Sequence, residues 1–375
     1  MAALLDNIDP DGLLEYSVVF TDRSLNSMSA NFQTVMNDIS SSLKEVYSAQ
    51  HVALVPGGGT YAMEAVARQF GNGAHALIIR NGWFSYRWTQ IFEAGNFTEK
   101  TTVLKARTAD NSPKSAFAPV PIDEVVAKIN AEKPDVVFAP HVETSAGIIL
   151  PDDYITAMAT AAHDVGALMV LDCIASGCIW IDMAATGVDV LISAPQKGWS
   201  ASPSAGLVMM SDRASARMAE TNSDSFAIDL KKWASIMAAY ENGGHAYHAT
   251  MPTDALRAFR DTIVETRAYG FEKLKEAQWE QGNAVRAMLA GKGIKSVAAE
   301  GFGAPGVVVS YTDDPDVQNG KKFAAEGMQI AAGVPLQCDE PDGFMTFRLG
   351  LFGLDKLYDV PASLERLKSA IDKVL

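Results

Sequence analysis

Between about residues 50 and 210 the chain alternates short apolar runs, rich in Val, Ile and Leu, with longer stretches of mixed character. Seven of the runs read as strands: His51–Val55, Ala76–Ile79, Thr101–Leu104, Asp135–Ala139, Ala167–Leu171, Val188–Ser193 and Gly206–Met210. Between them, Pro121–Glu132 and Pro151–Val165 open on proline followed by acidic residues. That is a helix-start signal, because proline presets φ and acids interact favourably with the helix dipole. The alternation predicts a mostly parallel, seven-stranded sheet wound by crossover helices.

From Thr253 to Leu289 the text becomes one long, charged, helix-compatible stretch, after which strand-like runs return at Gly306–Tyr311 and Phe344–Leu349. In Pro361–Leu375 the residues Leu364, Leu367, Ile371 and Val374 fall at helical spacing, which predicts a terminal helix packed on a smaller sheet. The pattern divides an α/β chain into an N-terminal segment (1–16), a large domain (17–265) and a smaller α+β domain (266–375).

Composition narrows the function classes. The 375 residues, 48% apolar and 20% charged, suffice for two packed cores. A formal charge of −14 disfavours nucleic acid and anionic membranes as partners, since both select for basic surface. Cys173, Cys178 and Cys338 have neither the count nor the spacing of a disulfide framework or a zinc site, which points to a reducing, cytoplasmic setting. Met1–Gly12 has three aspartates and no Lys or Arg, and no apolar run approaches the ~20 residues of a membrane span. His163, Asp164, His245 and His248 lack metal-ligand spacing, and Ser200, Ser202 and Ser204 lack a nucleophile elbow.

Three strand ends carry chemistry. In Ser193-Ala194-Pro195-Gln196-Lys197-Gly198-Trp199 a lone lysine follows an apolar run. Desolvation there would lower its pKa and make it a competent Schiff-base nucleophile, although a snorkelling lysine fits the same text. Asp172 ends the run Ala167–Leu171. There it either points into the crevice where parallel sheets bind ligands or caps a helix. Val55-Pro56-Gly57-Gly58-Gly59-Thr60 joins a strand to a helical pattern, so its backbone N–H groups and the Thr60 hydroxyl could hold a phosphate. Each signal is weak alone. Their order is specific: the glycine loop, Asn81-Gly82-Trp83-Phe84, His141-Val142-Glu143-Thr144-Ser145, Asp172 and Lys197 each follow a candidate strand.

In that order the sequence resembles the class V aminotransferases of pyridoxal-phosphate (PLP) fold type I, in particular the alanine-glyoxylate and serine-glyoxylate (serine-pyruvate) branch. The resemblance covers roughly residues 50 to 360 and is carried by His-Val-Glu-Thr-Ser-Ala-Gly, Leu-Asp-Cys-Ile-Ala-Ser and Pro-Gln-Lys-Gly. It implies that Lys197 carries PLP as a Schiff base and that Asp172 keeps the pyridine nitrogen protonated, preserving the electron sink. It further implies that Gly58, Gly59 and Thr60 hold the phosphate, assisted by Gln196. Phe84 would stack on the ring, with Trp83 as a neighbouring candidate, while Thr144 reaches the phenolic oxygen and Ile174 packs on the opposite face. Tyr247 and Thr250 would bind the phosphate of a partner subunit's cofactor, which implies a homodimer with shared sites. Arg348 would clamp the substrate α-carboxylate, for which a guanidinium fork is suited. The implied reaction moves an amino group from alanine, serine or aspartate to a 2-oxo acid such as glyoxylate or pyruvate.

Two segments depart from the family pattern. Phe20-Thr21-Asp22-Arg23-Ser24, with Asn26 and Met28, replaces a His-Arg-Ser stretch, and Gly333–Phe344 carries Cys338, Asp339, Glu340 and Asp342. Both bear on substrate identity. Cys338, ten residues before Arg348, keeps open a cysteine desulfurase, although Gln196 replaces the histidine such enzymes place before the lysine. Class V also contains lyases and epimerases, and a PLP-binding protein without turnover is a rival from another class.

Overall fold

The computed structural model describes residues 4–110 and 112–375. The seven expected strands form one sheet: β1 (His51–Pro56), β2 (His75–Arg80), β3 (Lys100–Lys105), β4 (Val136–Pro140), β5 (Leu168–Asp172), β6 (Val190–Ser193) and β7 (Ala205–Met210). Their order is β1-β7-β6-β5-β4-β2-β3. Neighbours from β6 to β3 run parallel, and β7 is antiparallel to both β6 and β1. β6 begins at Val190 rather than Val188. Asp189 stands just before the strand, its backbone bonded to Met169 and Ser211 and its carboxylate accepting from the Met169 N–H (2.9 Å) and the Ser211 hydroxyl (3.0 Å).

The principal helices are α1 (Ala30–Tyr47), α2 (Gly59–Phe70), α3 (Trp83–Gly95), α4 (Ile122–Glu132), α5 (Asp152–Asp164), α6 (Asp212–Glu220), α7 (Leu230–Glu241), α8 (Thr253–Tyr269), α9 (Phe271–Gly291) and α10 (Val360–Val374). Pro121 and Pro151 stand at the N-caps of α4 and α5, with two acids in each first turn, as the dipole favours. The stretch expected to run unbroken from Thr253 to Leu289 is two helices. Gly270 separates α8 from α9 with φ +110°, a conformation that L side chains rarely adopt.

The small sheet has the order β8-β10-β9, with β8 at Val307–Tyr311, β9 at Ala331–Ala332 and β10 at Thr346–Gly350. As the helical spacing predicts, Leu364, Leu367, Ile371 and Val374 of α10 join Val308, Phe347 and Leu349 in one apolar cluster, together with Val285 and Leu289 of α9. The main core spans Leu25 to Ile263 and contains all of Leu168–Leu171, none more than 1% exposed. Truncating such a side chain to alanine costs about 2–5 kcal/mol, so β5 is a stiff carrier for the acid at its end. Among the described residues no helix is long and apolar enough to cross a membrane.

Candidate active site

Register sets the floor of the pocket. Asp172 pairs with Pro140 of β4 and Ile192 of β6, so the residues following all three emerge at one carboxyl edge. The Asp172 carbonyl accepts from the His141 N–H (2.8 Å), and its Oδ1 accepts from the Ile174 N–H (2.9 Å). Oδ2 has no donor among the described residues. Burial pushes the Asp172 carboxyl up to about 6, and Glu143 adds to this; the Ile174 N–H, Arg87 and Lys197 oppose it. Beside it His141 is buried with Nδ1 2.7 Å from Ser176 Oγ, and burial depresses its pKa to about 3, so the ring is neutral.

Lys197 lies on the loop leaving β6. The loop is folded back by the Ala201 N–H donating to the Pro195 carbonyl (3.0 Å) and the Ser200 N–H donating to the Lys197 carbonyl (3.0 Å). Trp199, buried against Tyr47, Trp180, Phe259 and Phe271, anchors it from below. A Cβ on Gly198 would stand 2.1 Å from the Gly177 carbonyl oxygen, so the lysine loop and the loop after Asp172 touch backbone to backbone. Nζ has no hydrogen-bond partner among the described residues and sits 5.5 Å from the centre of the Phe352 ring. Burial lowers the Lys197 pKa, Arg348 and Arg87 lower it further, and Asp172 opposes them.

The glycine loop joins β1 to α2. Gly57 takes φ +123° with the Tyr61 ring filling the place of a side chain, and a Cβ on Gly59 would collide with Ile174 Cδ1 at 2.5 Å. A Cβ on Gly58 would meet nothing within 4 Å, which leaves an open cradle at the N-terminus of α2. Thr60 Oγ1 accepts from Arg87 Nη1 (3.0 Å). Gln196 is exposed next to Lys197.

Phe84 sits in the first turn of α3, and a buried acid fixes that turn. Glu143 accepts from the N–H groups of Phe84 (3.2 Å), Ser85 (2.8 Å) and Ser145 (3.0 Å), and from the hydroxyls of Ser85 (2.7 Å) and Ser145 (2.8 Å). Gly82 permits this approach, since a Cβ there would lie 2.1 Å from Ser145 Oγ. Thr144, next to Glu143 in the hairpin that pairs Val142–Glu143 with Ile148–Ile149, is buried, with no hydrogen-bond partner for its hydroxyl among the described residues. Two guanidinium groups lie near the Phe84 ring, Arg87 at 5.4 Å and Arg348 at 5.5 Å from its centre. Arg348 comes from β10 and is aimed by its Nε, which donates to the Ala332 carbonyl of β9 (2.8 Å). Burial lowers its pKa while Glu143 opposes.

Contacts and charge effects link Asp172, Lys197, Arg348, Phe84, Thr60, Ile174 and Gly59 to one another through Arg87; Thr144 and Gly58 adjoin this set along the chain, and Gln196 is exposed beside Lys197. Tyr247 and Thr250 are exposed on the loop after α7, where their hydroxyls meet at 3.3 Å. Three residues of the site were not singled out from sequence: Glu143, whose role needs Ser85 and Phe84; Arg87, which needs Thr60; and Phe352. The available signal was charge, an acid and an arginine inside otherwise apolar or aromatic segments. Cys338, by contrast, is buried with its thiol near the carbonyls of Arg80 (3.4 Å) and Leu336 (3.7 Å), and burial pushes its pKa up to about 12. Its loop is wound around Glu340, which accepts from the N–H groups of Leu336, Gln337 and Cys338. A buried thiol on a pinned loop does not suit a mobile nucleophile.

The unsatisfied groups form a coherent set. A buried acid with a free oxygen, an unpaired amine, a free hydroxyl on Thr144 and an open glycine cradle match the ring nitrogen, aldehyde, phenolic oxygen and phosphate of PLP. A family model described as aminotransferase class-V matches residues 13–299. A 2-aminoethylphosphonate–pyruvate transaminase of Paraburkholderia phymatum is 25% identical over 357 residues, covering 92% of this chain and 90% of its own. A soluble hydrogenase 42 kDa subunit of Anabaena cylindrica is 24% identical over 305 residues, 80% of this chain and 76% of its own. Among solved structures, an alanine–glyoxylate aminotransferase from Nostoc sp. superposes with a TM-score of 0.78 at 21% identity, over 92% of this chain and 88% of that one.

Proposed function

This chain belongs to the class-V aminotransferases, PLP-dependent enzymes, and from that premise we propose that it transfers the amino group of alanine, serine or aspartate to glyoxylate or pyruvate. The observation that carries the reading is the meeting of an acid from β5, an amine from the loop after β6 and a guanidinium from β10, each without an ion-pair partner among the described residues. PLP, when bound, supplies an electron sink for negative charge at the substrate Cα. Asp172, charged once it faces a protonated ring nitrogen, holds that proton in place. Lys197, whose pKa burial lowers, would hold the cofactor covalently and take the proton from the substrate Cα. Arg348 orients the substrate carboxylate from the opposite domain, and Phe352 covers the lysine. Gly58, Gly59, Thr60 and Gln196 would hold the phosphate, Phe84 and Ile174 the two faces of the ring, and Thr144 its phenolic oxygen.

The same proposal includes a homodimer in which Tyr247 and Thr250 complete the partner's phosphate site. It is supported by the exposure of the large side chains Tyr61, Phe226 and Tyr247. The domain division at residues 265 and 266 is supported by the distinct clusters spanning Leu25–Ile263 and Val285–Ile371, while a third cluster joins Phe117 and Val142 to Val297 and Tyr311 across the boundary. A cytoplasmic setting is supported by three buried, unpaired cysteines.

The test is spectroscopic and kinetic. Purified protein absorbs as a PLP enzyme, loses that band on adding the amino donor and regains it on adding the oxo acid. Lys197→Ala lowers transamination by at least ~10³-fold. Wild-type turnover in that variant, or an unresponsive spectrum across the donor and acceptor panel, removes the reading.

A further inference from the structure

The residues that the site offers to a phosphate are uncharged: Gly58, Gly59, Thr60 and Gln196, with Tyr247 and Thr250 from a partner. A phosphate monoester carries close to two negative charges near neutral pH, and the N-terminus of α2 supplies only about half a positive charge. In a chain with a formal charge of −14, that leaves the anion short of compensation. Arg87 is the cation that touches the phosphate loop. It donates from Nη1 to Thr60 Oγ1 at 3.0 Å, with its guanidinium 5.4 Å from the centre of the Phe84 ring. It stands about one turn after Phe84 on α3, the helix whose start Glu143 secures, so its stem is rooted in the pocket wall. Among the described residues it has no carboxylate partner.

We propose that Arg87 is the cation of the cofactor-phosphate site, acting both by its charge and by orienting the Thr60 hydroxyl. This rests on the PLP reading above. Thr60 Oγ1 accepts the Arg87 N–H, so the hydroxyl proton is turned away from the guanidinium and left to donate to an anion beside the loop. The other N–H groups of Arg87 remain for the phosphate oxygens, and hydrogen bonds to an ionised acceptor are the strong ones. The Arg87 charge also acts to lower the pKa values of Asp172 and Lys197, so it is felt at both groups.

The experiment compares PLP with pyridoxal, which lacks the phosphate, as ligands of wild-type, Arg87→Gln and Arg87→Lys apoprotein. Arg87→Gln is expected to bind PLP at least ~10-fold more weakly while its pyridoxal affinity stays within about twofold of wild type. Arg87→Lys recovers part of the PLP loss, and the ³¹P resonance of bound PLP titrates at higher pH in Arg87→Gln than in wild type. Equal weakening of both ligands would make Arg87 a structural residue and overturn the proposal. Unchanged PLP affinity with a raised KM for an acidic or phosphonate donor would reassign it to the substrate. If wild-type apoprotein binds neither ligand, it is the PLP reading itself that fails.

Discussion

Glu143, just after β4, and Asp172, at the end of the neighbouring β5, are buried acids, and they are treated in opposite ways. Glu143 receives five hydrogen bonds from the described residues and closes the N-terminus of α3, whereas Asp172 receives one and leaves an oxygen free. A carboxylate bound by many N–H and O–H groups is spent on structure. One that burial holds at about 6 is short of a cation or donor, and that shortage is what a ligand relieves. Burial alone therefore does not mark a functional acid; the count of its partners does.

The contrast can be broken at either end. Glu143→Ala strands five donors in a dry site and should cost about 3–5 kcal/mol in denaturant unfolding, with loss of PLP affinity following as Phe84 is released. Stability within ~1 kcal/mol of wild type would erase the distinction. Asp172→Asn should do the reverse in the apoprotein. The folded pKa of about 6 lies above the ordinary 3.8, so the stability linked to Asp172 is full below pH ~4 and is lost as pH rises through 6. Asparagine carries no such penalty. The variant should match wild type at pH 4 and exceed it by up to about 3 kcal/mol at pH 8, while transamination collapses. His141 runs the other way: its stability is full above the ordinary 6.5 and declines as pH falls toward about 3. The difference between wild type and Asp172→Asn, not the raw curve, therefore isolates the aspartate. The smallest effect is expected at Cys338→Ser, about 1–2 kcal/mol of stability with transamination retained, since the thiol only packs. Sulfide release from cysteine by wild type, abolished by this change, would overturn that view.

The large sheet is legible in sequence because its strands are continuous apolar runs separated by proline- and glycine-marked starts. α1 is not, since Ser40-Ser41-Ser42 interrupts its text and its buried face is defined by α7 and α8, roughly two hundred residues away. The break at Gly270 is masked by helical residues on both sides. Lys197, Asp172 and the glycine loop are readable because each sits at a strand end, where chain order and site coincide. Arg87 and Glu143 are not, because their meaning lies in partners 27 and 58 positions away. Arg348 falls between the two cases: the resemblance names it, but its aim depends on a carbonyl of the two-residue strand β9, which has no pattern of its own.

The contact between Gly177 and Gly198 has a consequence for how such a protein can diversify. Main chain rather than side chain sets the spacing of Asp172 and Lys197, so replacements in the surrounding pocket leave that spacing untouched as long as both glycines stay. The reactive pair behaves as a fixed cartridge.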